Sequence, residues 1–307
     1  MSELKIIRVV ELFSAIGGFR LGLEKCSTAK QRKGFQGVGN TTRGCGKQFN
    51  RGADRQFNCV WANDNDKYAC RIYRSHWNDG TLHEGDIRAV DPNSIPDHDL
   101  LCAGFPCQSF SIAGKRRGFE DTRGTLFFEI CRIAKAKRTP ILFLENVKGL
   151  LNHEGGQTFQ KILSSLDELG YDCQWQVLNS KNFGVPQNRE RVFIIGHLRG
   201  TSRPEVFPIE EGFRLDTQTQ RKNREKIQTY RCLEGTEYKG YSSERFDGVL
   251  QDVGIRRLTP TECERLQGFP DSWTEGVSDT QRYKCLGNAV TVNVIESIGL
   301  LLGKNIS

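Results

Sequence analysis

The most reactive arrangement in this sequence is Gly104-Phe105-Pro106-Cys107-Gln108-Ser109-Phe110-Ser111, which follows the apolar run from Asp99 to Ala103. A strand ending in Pro-Cys delivers a thiol to the carboxyl edge of a sheet, where open α/β folds build their sites. Only the thiolate is a nucleophile, and neighbouring guanidinium groups lower a thiol pKa. The loop that follows is polar and carries Lys115, Arg116, Arg117 and Arg123, the composition of a lid over a nucleophile. Cys102, inside the apolar run, is expected to be an inert core thiol. A second signal is the acid Glu145, placed directly after the apolar run Ile141–Leu144. A third is Glu11-Leu12-Phe13-Ser14-Ala15-Ile16-Gly17-Gly18-Phe19, a strand running through a glycine-bearing turn into a helix. Glycine there lets a cofactor approach the backbone, although the same turn also serves a purely structural purpose in many folds. Asp64 follows the second strand and Asp86 precedes Ile87. Acids so placed bind ribose hydroxyls or simply cap a helix or turn, and the residues alone leave both roles open.

Taken together, the blocks resemble the DNA cytosine carbon-5 methyltransferases. The resemblance rests on the glycine turn, Gly104–Ser111, Glu145-Asn146-Val147 and Gln187-Asn188-Arg189-Glu190-Arg191. Arg257-Leu258-Thr259-Pro260 to Glu264-Arg265-Leu266-Gln267-Gly268-Phe269-Pro270 and Gly287-Asn288-Ala289-Val290 complete the set. The six blocks stand in the family's order between Val9 and Val294.

The resemblance implies a reaction. Carbon 5 of cytosine is a poor nucleophile, and a thiolate adding to carbon 6 makes the ring enamine-like. Cys107 is the implied nucleophile. Glu145 would contact the ring nitrogen and amino group of the flipped base and stabilise the developing charge. Arg189 would hold the pyrimidine carbonyl oxygen and help position the thiol. Arg191 would either join it or support the site through carboxylates. The implied methyl donor is S-adenosyl-L-methionine, surrounded by Phe13, Ser14, Ala15, Ile16, Gly17 and Gly18, with Asp64 on the ribose. Asp86 and Ile87 would bracket the adenine, and Leu126, Asn288 and Val290 would close the pocket. Two positions depart from the family pattern: Ala15 stands where glycine is usual, and Asn65 where an aromatic residue is frequent. The base must leave the duplex to react. Gln108, Ser109, Lys115, Arg116, Arg117 and Arg123 are the expected DNA contacts.

These residues need elements to hold them. Short apolar runs alternate with helix-like stretches over the first two thirds of the chain, which predicts a Rossmann-like α/β domain with a doubly wound sheet. Expected strands are Val9–Phe13, Phe57–Ala62, Asp99–Ala103, Ile141–Leu144, Trp175–Leu178 and Arg191–Ile195. Expected helices begin at Phe19 and span Tyr68–His76, Leu126–Ala136, Thr158–Leu169, Thr259–Leu266 and Ala289–Leu302. The catalytic and cofactor-binding domain is placed at residues 1–196 plus 277–307. A smaller target-recognition domain is placed at 197–276, walling a basic cleft. Its recognition region is short and lacks the family's usual Thr-Leu pair, for which the segment from Arg245 to Leu250 is a substitute.

Residues 27–56 form a basic insertion. Seven Lys and Arg against Asp54 give it six of the seven net positive charges of the 307-residue chain. It follows the first helix and so starts at the edge opposite the site, where a solvated loop is the expectation and contact with DNA outside the target site the alternative. The overall basic balance suits a polyanion. No apolar run is long enough to span a membrane, and no signal-peptide pattern opens the chain. Eleven cysteines without C-x-x-C spacing argue against a zinc site and for a reducing cytoplasm. No metal is expected, and the chain is expected to act as a monomer on double-stranded DNA, beside a restriction endonuclease for the same site. A tRNA-methylating branch shares the catalytic blocks, but its Cys-Phe-Thr tripeptide is absent. A catalytically idle DNA-binding relative would not need all the reacting residues. A Rossmann dehydrogenase would need G-x-G-x-x-G, which the turn does not follow.

Overall fold

The computed structural model describes residues 5–28, 55–106, 126–203, 205–209, 230–231, 248–251 and 254–305. The basic insertion lies outside them except at its two ends. Seven strands form one sheet: β1 (Lys5–Leu12), β2 (Arg55–Asp64), β3 (Leu82–Glu84), β4 (Leu100–Gly104), β5 (Ile141–Val147), β6 (Tyr171–Asn179) and β8 (Glu190–Leu198), in the order β3-β2-β1-β4-β5-β8-β6. All neighbours are parallel except β8, which runs antiparallel to β5 and β6. The strand order reverses about β1, between β2 and β4. Ligands bind open α/β sheets outside the carboxyl ends of the strands at such a switch point.

Period-two alternation sends successive side chains to opposite faces. Val10, Leu12, Leu101, Ala103, Leu142 and Leu144 meet helices α3 (Leu126–Lys137) and α4 (Gln157–Glu168) on one face. Ile7, Val9, Leu100, Cys102, Phe143 and Ile195 meet α1 (Gly18–Thr28) and α7 (Val292–Asn305) on the other. Helices α1 and α7 pack closely because Gly22 faces Ile295, where a Cβ would come within 2.7 Å of the isoleucine. The C-terminal helix thus returns to the first helix. The helical stretch Asp279–Gly303 is long and apolar enough to cross a membrane, but 78% of its most apolar window is buried within the protein, as in a core helix.

A third cluster joins Ile16, Ala69 and Ile72 to Leu258, Cys263, Leu266, Phe269 and Trp273. It contains α2 (Lys67–His76), α5 (Pro260–Leu266) and α6 (Asp279–Asn288). Helix α5 starts as its sequence dictates, with Thr259 and Glu262 forming a capping box ahead of Pro260. The segment from Leu258 to Trp273, expected within the smaller domain, thus packs its apolar side chains against residues near the turn that follows β1. Residues 206–209 also stay with the sheet: Gln174 and Gln176 on the edge strand β6 bond the backbone of Val206, Phe207 and Ile209. Away from the main sheet, β7 (Gln187–Asn188) pairs with β9 (Tyr230–Arg231), and β10 (Gly248–Gln251) with β11 (Gly254–Arg257).

Candidate active site

Register brings the separate sequence blocks to one edge. Leu12 pairs with Ala103, so the turn after β1 and the Pro106 turn after β4 are neighbours. Gly104 pairs with Glu145, and Val147 pairs with Arg191 at the start of the antiparallel strand β8. An antiparallel strand begins where its parallel neighbour ends, and this carries the arginine block to the carboxyl edge. Glu145 lies directly opposite Phe193, two residues from Arg191, so both side chains share a face.

Arg191 Nε lies 3.1 Å from Glu145 Oε1. Both side chains are largely buried. Burial pushes the Glu145 carboxyl above the usual range, and the guanidinium groups of Arg191 and Arg189 hold it back. Gly104 leaves room for this carboxylate: a Cβ there would lie 3.4 Å from Glu145 Oε2. The next residue, Asn146, donates from Nδ2 to the Phe105 carbonyl at 2.8 Å, and its Oδ1 accepts from the Val147 N–H. It ties the approach to the Pro–Cys turn to the strand that carries Glu145. Sequence reasoning assigned it no role, although a buried polar residue after an apolar strand is a recognisable signal. Cys107, Gln108, Ser109, Lys115, Arg116, Arg117 and Arg123 lie outside the described residues.

The two arginines make different contacts, and that of Arg191 matches the expected alternative of support through a carboxylate. Arg189 is 3% exposed, and its Nη2 donates to the carbonyls of Gly287 at 3.0 Å and Ala289 at 2.7 Å. These carbonyls end α6, and a cation satisfies the acceptors that a helix C-terminus leaves open. The helix expected from Ala289 starts at Val292, and residues 289–291 separate it from α6. Arg189 shapes that break, and Arg191 is the arginine bonded to the Glu145 carboxylate.

The turn after β1 is held in an unusual conformation. Phe13 ends the strand with φ 55° and Ala15 has φ 47°. Left-handed backbone favours glycine, which is the physical meaning of alanine standing at a position where the family uses glycine. Asp64 stabilises the turn. Its Oδ2 accepts from the Ala15 N–H at 2.7 Å, and its Oδ1 from the Asp66 N–H at 2.8 Å. Burial raises its pKa in spite of these bonds. Asn63 supports the next loop by donating to the carbonyls of His83 and Gly85. Val290 packs over Gly18, where a Cβ would lie 2.7 Å from its Cγ2.

The remaining expected donor residues scatter in accessibility. Asn65 and Asn288 are exposed, Leu126 is half-buried and Ile87 is buried. Asp86 caps its own turn and is paired with Arg88, which holds its carboxyl down at about 2. Ile16 has no exposed surface, and its side chain packs into the third core cluster. Ser14 fits a bound donor well, because its buried hydroxyl has no hydrogen-bond partner among the described residues, and a ligand's polar group would satisfy it.

The model of the family described as C-5 cytosine-specific DNA methylase matches residues 7–229 and 206–304. The chain is similar to Type II methyltransferase M.HhaI of Haemophilus parahaemolyticus, with 34% identity covering 99% of this chain and 97% of that one. It is similar to Type II methyltransferase M.NlaX of Neisseria lactamica, with 37% identity covering 95% of each. Among solved structures, S. pombe Dnmt2 methyltransferase matches with a TM-score of 0.67 at 18% identity over 97% of each chain, which establishes the shared fold. The Entamoeba histolytica methyltransferase EhMeth shares it too, with a TM-score of 0.63 at 19% identity over 95% of this chain and 96% of that one. Blocks dispersed through the sequence thus converge on one sheet edge in a chain matched along nearly its whole length: it belongs to the C-5 cytosine-specific DNA methylase family and is an S-adenosylmethionine-dependent DNA cytosine-5 methyltransferase.

Proposed function

We propose that this enzyme methylates cytosine within one short sequence of double-stranded DNA, through a covalent adduct between Cys107 and cytosine carbon 6, as the modifying partner of a restriction endonuclease that cuts the same site. The observation that carries the reading is the Glu145–Arg191 pair, set beside the Pro106 turn by the register of β4, β5 and β8. The printed names of M.HhaI and M.NlaX, both Type II methyltransferases, support the restriction–modification setting. The reading takes the enzyme to be a cytoplasmic monomer.

The thiolate of Cys107 adds to carbon 6 of a flipped-out cytosine, and the electron pair moves toward the ring. Glu145, whose pKa burial raises, shares a proton with ring nitrogen 3 and lets carbon 5 act as the nucleophile. Bound S-adenosyl-L-methionine supplies the electrophilic methyl group. Loss of the carbon-5 proton to a base and expulsion of the thiolate from carbon 6 restore the aromatic ring and free Cys107. Arg191 orients Glu145 and is available to the pyrimidine carbonyl, while Arg189 holds the 287–289 turn. Phe13, Ser14, Asp64 and Val290 hold the donor, with Asn65, Asp86, Ile87, Leu126 and Asn288 at its periphery. Gln108, Ser109, Lys115, Arg116, Arg117 and Arg123 contact the DNA.

Among the described residues the competing thiols are unsuited to the role, all being buried except the half-buried Cys173. Cys102 and Cys26 are fully buried, and burial pushes Cys59, Cys70, Cys173 and Cys285 up to about 12. The test is bisulfite sequencing of genomic DNA from a host lacking cytosine methylation, after expression of the protein or of its Cys107→Ser variant. Protection of one sequence context by the wild type alone is expected. No protection by a soluble, donor-binding protein would overturn the reading in favour of an RNA substrate or an idle binder.

A further inference from the structure

The turn that follows β1 is anchored from behind by a residue far away in the chain. Trp273, between α5 and α6, donates its indole N–H to the Ile16 carbonyl at 3.0 Å, across 257 positions of sequence. Trp273 is 7% exposed and Ile16 is fully buried. The other ties of the turn are local to β1 and β2: Ser14 N–H to the Asn63 carbonyl, Gly17 N–H to the Ser14 carbonyl and Ala15 N–H to Asp64. The indole is therefore the contact through which the C-terminal part of the chain reaches this backbone by hydrogen bonding.

The indole is itself held on several sides. The His76 ring stacks on it with centroids 3.5 Å apart and planes 6° apart, and His76 Nε2 is 2.7 Å from the Trp273 carbonyl oxygen. Trp77 meets it edge-on at 5.4 Å, and Phe269 lies against it at 5.5 Å. Trp77 in turn covers Gly17 so closely that any Cβ there would overlap its ring. Its indole donates to Glu24, and the Arg20 guanidinium lies 4.6 Å from its ring centroid. The two tryptophans grip successive residues of one turn, Trp273 by the Ile16 carbonyl and Trp77 by the α-carbon face of Gly17.

We infer that Trp273 is a positioning residue for the methyl donor: its indole N–H fixes the Ile16 carbonyl and so holds the strained turn at residues 13–17 in the conformation that receives S-adenosyl-L-methionine. The inference rests on the reading that this turn holds the donor. Phe13 and Ala15 both sit in left-handed backbone, a conformation that persists only when its surroundings impose it. Without the indole the Ile16 carbonyl loses its acceptor bond in a site closed to water, and the turn relaxes toward ordinary φ values. Trp273 has no part in the chemistry at carbon 5 or carbon 6, so the chemical step is unaffected once donor is bound.

The test is Trp273→Phe, which keeps an aromatic ring against His76 and removes the N–H. The donor dissociation constant by equilibrium dialysis and the donor KM are both expected to rise roughly threefold to tenfold, the range for loss of one buried hydrogen bond. The kcat at saturating donor and the KM for DNA should stay within about twofold of wild type on the same argument. If Trp273→Phe does not fold, β-(3-benzothienyl)alanine introduced at position 273 preserves the ring shape and replaces the N–H by sulfur, with the same expectation. Unchanged donor affinity in the folded variant overturns the inference. So does an equal fall in kcat and DNA affinity, which marks a general structural prop. Asp64→Ala, measured in parallel, separates this result from the underlying reading. If Asp64→Ala weakens the donor and Trp273→Phe does not, the inference alone fails. If Asp64→Ala leaves donor affinity unchanged, the turn is not the donor site and both fail.

Discussion

Glu145 Oε1 accepts a bond from Arg191 Nε at 3.1 Å, although the two residues lie on different strands and their blocks are separated by a helix and an edge strand. Burial raises the Glu145 carboxyl pKa and Arg191 restrains it. The pair thus sets opposing influences on one carboxyl group at the edge where the base is proposed to bind. Glu145→Gln should lower kcat by about a hundredfold or more, the usual scale for losing a general acid, while DNA binding persists. Arg191→Gln removes the restraint, so the Glu145 pKa rises further and the protonated form survives to higher pH. The alkaline limb of kcat/KM should then move upward in pH. A limb that stays put or moves down would count against Glu145 as the proton donor.

Asn146 connects the two catalytic turns through its bond to the Phe105 carbonyl. Asn146→Ala leaves that carbonyl without its partner, which typically costs about 1–3 kcal/mol when the group is buried. The loss should fall on the position of Cys107. A drop in kcat of about tenfold or more is expected, with donor affinity unchanged. Single-turnover rates with donor titrations separate the two quantities, and a variant weakened only in donor affinity would refute the assignment.

Ala15 has φ 47°, a conformation that costs an L-residue roughly 1–2 kcal/mol and glycine little. Ala15→Gly also gives the unfolded chain more freedom, which opposes the gain by about 0.4–1 kcal/mol. The net expectation is a stabilisation of about 0.5–1 kcal/mol in urea unfolding, with donor affinity equal to or tighter than wild type. Destabilisation would show that no strain resides at this position.

Glu11 is 1% exposed on the inner strand β1, and burial pushes its carboxyl up to about 8 despite the nearby Arg20. Above the ordinary pKa of an unfolded glutamate the unfolded chain releases this proton while the folded protein retains it. Folding stability therefore falls as pH rises from about 4.5 toward 8, and levels off above that. Glu11→Gln abolishes this dependence. Relative to the variant, the wild type should lose on the order of 2–4 kcal/mol between pH 5 and pH 8. Parallel denaturation curves at the two pH values would show the difference, and equal slopes for both proteins would refute the buried acid's role.

Much of this enzyme could be read from the sequence because its local signals agree. Short apolar runs set β1, β2, β4 and β5. The Thr259–Glu262 capping box set the start of α5. The order of the reactive blocks pointed to the family before any contact was known. The tertiary structure decided what depends on who lies opposite whom. Arg189 and Arg191 are the same residue type two positions apart, and only the antiparallel register of β8 with β5 sends one to Glu145 and the other to the carbonyls of Gly287 and Ala289. Ile16 sits in the middle of a glycine turn, yet its side chain is committed to the core by Trp273 and Ile72. The helical pattern from Ala289 could not reveal that α7 starts only at Val292, because Arg189, which bonds the carbonyls of Gly287 and Ala289, comes from between β7 and β8. The packing of Leu258 and Trp273 with Ile16 was hidden in the same way, since these residues lie far apart in the chain. Local propensity acts over a few residues and is written along the chain, whereas partner choice and burial arise from contacts hundreds of positions apart and exist only once the chain has folded.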